Sequence, residues 1–163
     1  GATSILLREN GNNPYLIHEE LQKNMQYNVG IIRTKKEIEN GIKEIDVLKS
    51  KFKDVKAPGS SQFNPGWHEA LALRNLLISA ESVAKSALIR EESRGAHTRE
   101  DFPSEREEWI KYNIINKKGK DGKMETVKIL RTNPDKELKR IAHSKLNELE
   151  KEVKIDHDKL KVS

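Results

Sequence analysis

The stretch from Trp67 to Glu92 constrains this chain more than any other. Leu73, Leu76, Leu77, Ala80, Val83, Ala84, Ala87 and Leu88 recur there at three- and four-residue spacing, with neither proline nor glycine inside the run. A helix gathers such positions onto one broad face, whereas a strand would scatter them over both sides of a sheet. The spacing predicts a helix of about seven turns, and a helix that long needs neighbours along its length. Small side chains at Ala80, Ala84 and Ala87 let a neighbouring backbone come close, which reads as packing before it reads as a binding groove.

Two neighbours stand upstream. Pro14 suits a first helical position, because its missing N–H is one of the unpaired donors there. Ile17, Leu21 and Met25 follow at helical spacing, with Leu16 beside them, until Val29 and Gly30. Thr34 with Glu37 reads as a capping box. Ile38, Ile42, Ile45, Leu48 and Phe52 then form one stripe, ended by Ala57, Pro58, Gly59, Ser60 and Ser61. The connections are short, so the fold class is mainly α: a three-helix antiparallel bundle, then a loop, a small β-hairpin and a charged C-terminal helix. Residues 1–13 read as a linker, with Gly1 and Ala2 as a cloning remnant, so the chain reads as an excised piece. The bundle is placed at 14–110, the hairpin at 111–131 and the last helix at 132–163.

The hairpin rests on two runs around Asp121-Gly122, with Ile114 and Ile115 before the turn and Met124, Val127, Ile129 and Leu130 after it. Before it, Ser104 with Glu107 suggests a second capping box opening a turn that holds Trp109. From Lys111 to Arg131 there are seven Lys/Arg and two Asp/Glu, a surplus equal to the +5 of the whole chain. Tyr112 is the one interleaved aromatic, so a solvated lysine turn is favoured over a nucleic-acid ribbon. Leu138, Ala142, Leu146, Leu149 and Val153 predict one polar helix from Asp135 to Ile155, suited to projection or to a coiled coil with a second copy.

Composition narrows the function classes. Apolar residues make up 34% of the chain, low for a globular protein. Either much of the chain is solvated helix or a partner completes its core. The absence of cysteine excludes disulfides and thiolate chemistry. No apolar run approaches the length of a membrane span. No G-x-G-x-x-G, Walker, G-x-S-x-G or H-E-x-x-H sequence occurs, and His18, His68, His97, His143 and His157 show no ligand spacing. Neither a catalytic residue nor a metal site is expected. Glu91/Glu92 and Glu107/Glu108 read as solvated charges.

One stretch resists a bland reading. Glu91–Pro103 reads E-E-S-R-G-A-H-T-R-E-D-F-P. Gly95 is expected to stop the long helix, with Arg90 and Arg94 in its last turn facing the negative end of the macrodipole. The remaining polar side chains fit a surface loop or a loop that docks on something polar or anionic.

The runs N-P-Y-L-I-H-E-E-L-Q-K from Asn13, V-G-I-I-R-T-K from Val29, F-N-P-G-W-H from Phe63 and the stretch from Glu91 resemble the C-terminal helical domain of the succinate dehydrogenase/fumarate reductase flavoprotein subunit. The resemblance covers about Asn13 to Ile115. Its S-R-G-x-H-x-R-x-D-x-P pattern is complete at Ser93, Arg94, Gly95, His97, Arg99, Asp101 and Pro103. L-aspartate oxidase has a related pattern. The resemblance implies an FAD enzyme interconverting succinate and fumarate, with the flavin on a preceding domain. No cofactor is then expected in this piece, and it should be inactive alone. Its implied partners are the FAD-binding domain and an iron-sulfur subunit, with neither nucleic acid nor a membrane span. The implied place is the cytoplasm, at the membrane face. Ser93, Arg94, Gly95, His97, Arg99 and Asp101 become the expected docking seam, where alanine at Arg94, His97 or Arg99 should hardly change melting. The alternative is a free-standing helical interaction module using the basic hairpin or the last helix.

Overall fold

Asn13 and Asn64 each cap a helix that begins with proline. In the computed structural model, which describes residues 2–151, helix α1 spans Pro14–Asn28, and the Asn13 side chain accepts from the Tyr15 N–H at 2.9 Å. Helix α3 spans Pro65–Ile89, and Asn64 accepts from the Trp67 N–H at 3.0 Å. Between them α2 covers Lys35–Lys53 and starts with the expected box: the Glu37 N–H donates to Thr34 Oγ1, and Glu37 Oε2 accepts from the Thr34 N–H at 2.7 Å. Each cap satisfies donors that a bare helix start leaves unpaired.

The three helices pack pairwise around Ile17 and Leu21 of α1, Ile38, Ile45 and Leu48 of α2, and Leu73, Leu77 and Ala84 of α3. The chain is mainly α, as the periodicity predicted. Two expected core residues differ: Leu76 is 38% and Val83 50% exposed. The apolar face of α3 is wider than α1 and α2 can cover. Glu81, 6% exposed, pairs with Lys49 of α2 and with Lys85 at 2.8 Å. Burial raises its pKa, but the bonds from Lys49 and Lys85 outweigh that and hold the carboxyl below its usual range.

The residues before Pro14, whose polar cluster reads as a linker, are tied to this bundle. Ile5 is buried, the Trp67 indole N–H donates to the Ala2 carbonyl at 2.9 Å, and the Arg8 guanidinium donates to the Val55 carbonyl at 2.7 Å.

Two short strands, β1 (Ile32–Arg33) and β2 (Thr98–Arg99), pair in parallel across the chain. A 3-10 turn at Glu107–Lys111 buries Trp109. Arg106 precedes it without a side-chain cap, so the box expected at Ser104 and Glu107 does not form. Strands β3 (Tyr112–Lys118) and β4 (Met124–Leu130) form the antiparallel hairpin, with Ile115 opposite Val127. Gly122, at φ 81°, takes the turn position closed to side chains with a Cβ. The hairpin lies on α3: Asn116 donates to the Ser82 and Ser86 hydroxyls at 2.7 and 2.8 Å, and Lys85 donates to the Met124 carbonyl at 3.0 Å.

A second unit begins at Arg131. Its helix α4 covers only Lys136–His143, with Asp135 accepting from the Glu137 N–H. The single helix expected to Ile155 is interrupted. Ser144 is extended at ψ 148°, and its hydroxyl donates to the Arg140 carbonyl at 2.9 Å, a local bond that competes with the helix ladder. Helical residues resume at 146–151, and the rest of the expected helix lies outside the described residues.

Candidate functional site: an arginine-rich loop closed on the bundle

Helix α3 ends at Ile89, before the expected stop, and its last turn contains no basic residue. The cation at its carbonyl end is Arg99, ten residues on. The Arg99 Nη1 group donates to the carbonyls of Ala87 (3.0 Å), Leu88 (3.2 Å) and Arg90 (3.2 Å). These are the unpaired acceptors of a helix C-terminus, where positive charge is favoured. Arg99 is 0% exposed. Its other donors hold Asp101 in a two-bond fork, with Nε to Oδ1 at 2.8 Å and Nη2 to Oδ2 at 2.7 Å. The guanidinium also lies 5.0 Å from the Phe102 ring centre.

Asp101 accepts a third bond, from the Lys35 N–H at the start of α2 (3.0 Å). The Arg99 bonds are the main cause of its pKa falling to about 2 despite some desolvation. One carboxylate thus joins the loop to the N-terminus of α2 while its arginine closes the C-terminus of α3.

Ser93 shapes the loop from inside. Its hydroxyl accepts from the Arg99 N–H at 2.8 Å and donates to the Phe102 carbonyl at 2.8 Å. Arg94 and His97 exchange backbone bonds around an exposed turn, where Gly95 adopts φ 60° with nothing within 4 Å of a would-be Cβ. Gly95 therefore serves this tight turn and does not end α3.

Glu92, read from sequence as a solvated charge, is 0% exposed. It accepts from Arg90 at 2.5 Å, from Arg94 Nε and Nη2 at 3.1 Å, and from the Arg106 N–H at 2.9 Å. Burial is the largest influence and raises its pKa, yet the combined bonds from Arg94, the Arg106 N–H and Arg90 leave it lowered. The sequence did hold a signal. On a helix, residues two apart point away from each other, but on extended chain Arg90, Glu92 and Arg94 share a side.

His97 is half-buried between two partners. Its Nε2–H donates to the Arg90 carbonyl (3.1 Å), and its Nδ1 accepts from the Arg33 Nη2 group (2.8 Å). This pairing needs the neutral ring. Burial first, then the nearby Arg33, Arg99 and Arg90 charges, lowers its pKa, opposed by the bond to the Arg90 carbonyl. Arg33 was absent from the sequence-based site. Its Nη1 donates to the Val29 carbonyl, its buried Nε has no partner, and no carboxylate pairs with it among the described residues. Beside it Ile31 and Ile32 are 69% and 63% exposed.

The six sequence-chosen residues therefore come together but divide. Ser93, Arg94, Arg99 and Asp101 are engaged within the chain's own fold, whereas Gly95 sits at an exposed turn and His97 pairs with Arg33 beside exposed isoleucines. Among the described residues no group of three metal-binding side chains gathers, and no helix is long and apolar enough to cross a membrane.

These residues define a mainly helical domain, a three-helix bundle closed by an arginine-rich loop. Residues 18–141 match the family model described as fumarate reductase flavoprotein C-term, and the chain belongs to that family. It is 42% identical over 113 residues to one subunit of the fumarate reductase (CoM/CoB) of Methanothermobacter marburgensis, covering 69% of this chain and 21% of that protein. It is 38% identical over 105 residues to the succinate dehydrogenase flavoprotein subunit of Rickettsia conorii, covering 62% and 18%. The Mycobacterium smegmatis Sdh1 complex in the apo form contains a chain that superposes with a TM-score of 0.72 at 37% identity, covering 79% of this chain and 22% of that one. Adenylylsulfate reductase from Archaeoglobus fulgidus, at 19% identity and a TM-score of 0.67, shares the fold. The chain spans about a fifth of the length of the curated relatives it matches.

Proposed function

We propose that this chain is the C-terminal helical module of an FAD-dependent flavoprotein subunit that interconverts succinate and fumarate, seated on the flavin-binding domain of the same polypeptide. The family match over residues 18–141 carries this reading. Among the described residues no strand, glycine-rich turn and helix follow one another in the arrangement that holds a dinucleotide, so the flavin does not fit them and no chemical step is assigned to them. Its role is mechanical: to hold the flavin domain in place beside an iron-sulfur subunit, at the membrane face.

Within the loop, Ser93, Arg94, Arg99 and Asp101 keep its shape, and Gly95 and His97 present the docking edge together with Arg33. Arg33 supports this division because it is a partly buried guanidinium without a carboxylate among the described residues, bordered by exposed isoleucines. A carboxylate on the flavin domain would complete it. The test is the full-length flavoprotein: succinate should bleach its flavin absorbance, and Arg33→Gln should lower flavin content per chain. Bleaching by L-aspartate and not by succinate would overturn the substrate reading. Unchanged flavin content in Arg33→Gln would overturn the docking edge.

A further inference from the structure

On the side of the bundle formed by α2, α3 and the hairpin loop lies an open groove of about 1170 Å³. Seven Lys/Arg and two Asp/Glu line it, a surplus of five that matches the net charge of the whole chain. Not every lysine there is available. Lys49 and Lys85 are bound to Glu81, and Lys117 lies 3.4 Å from Glu125. Lys53, Arg74, Lys118 and Lys123 remain, all exposed and without a carboxylate among the described residues. Between them the lining includes Ile78 and Val83, each about half exposed at 49% and 50%.

We propose that this groove is a docking channel for an acidic segment of a partner polypeptide. Four unpaired cations along a concave wall raise the local concentration of an anionic chain, and the apolar residues between them add contacts that charge alone does not supply. The groove exceeds the usual size of a small-molecule site. Its lining has no aromatic side chain, which removes the stacking platform a single nucleic-acid strand requires. A concave channel also fits a chain better than it fits a bilayer surface.

The experiment uses this 163-residue chain and a fluorescein-labelled oligoglutamate of about twelve residues. Binding should saturate and weaken by about tenfold when salt is raised from about 50 to about 300 mM, as screening shortens the reach of the four cations. The double variant Arg74→Glu/Lys123→Glu should weaken it by at least about tenfold. Lys23→Glu/Lys36→Glu, which changes net charge equally but lies off the groove, should have little effect. A melting curve on each variant checks that exposed positions have left the fold intact. The proposal is overturned if oligoglutamate does not bind, if the off-groove variant weakens binding as much, or if oligothymidylate of equal charge binds better. Uptake onto phosphatidylserine vesicles in preference to the peptide would also overturn it.

Discussion

Arg99 grips both oxygens of Asp101, at 2.8 and 2.7 Å, while its remaining nitrogen closes the last turn of α3. Because Arg99 is fully buried, Arg99→Ala would leave three carbonyls without their shared donor, while Asp101, whose side chain is 30% exposed, can turn to water. A buried acceptor left unpaired costs about 1–3 kcal/mol. Urea denaturation of the chain should show a loss of that order, and Arg99→Lys should recover little, since an ammonium cannot reproduce the fork. This reverses the expectation from sequence that alanine at Arg99 would leave melting unchanged.

Acid should weaken the same joint. The pKa of Asp101 falls from 3.8 to about 2 on folding, and that of Glu92 is also lowered. A carboxyl with a depressed folded pKa contributes stability that is complete above its unfolded value and disappears as pH falls through the folded one. Stability should decline between about pH 4 and about pH 2, and Asp101→Asn should flatten that decline. An unaltered slope in the variant would remove Asp101 from the linkage.

His97 titrates in the opposite chemical sense but with the same pH sign. Its lowered pKa means that the folded chain prefers the neutral ring. The contribution is therefore complete above its ordinary value of 6.5 and is lost as pH falls below it. Protonation would set an Nδ1–H against the Arg33 guanidinium. NMR titration should find the His97 ring neutral below the ordinary value, and His97→Gln should reduce the loss of stability that sets in as pH falls below 6.5.

What was legible in the sequence was mostly local. Pro14, the Thr34/Glu37 box and the apolar spacing of α3 report on residues three or four apart, and the helices form where those signals stand. The Asp-Gly turn likewise located the hairpin. The loop was legible as a group but not in its roles, because those depend on which carbonyls and carboxylates approach from elsewhere. Gly95 looked like a helix stop since a glycine after a helix usually is one, and nothing local announced that Arg99 would supply the cap. Glu92 looked solvated because its partners become neighbours only once α3 has ended. Arg33 was hidden in a connection two residues before α2, and it gains its meaning from His97, 64 residues away.

The cap on α3 comes from a residue that the ribosome adds ten positions after the helix ends. The long helix therefore cannot settle its last turn while it is being made, and has to wait for the turn at Gly95 to fold the chain back. The end of α3 and the loop should consequently open and close as one unit in hydrogen exchange, with the amides of Ala87 to Ile89 and of Arg99 sharing a single opening free energy. A disturbance at the exposed turn would then be felt inside the bundle as a loosening of its longest helix.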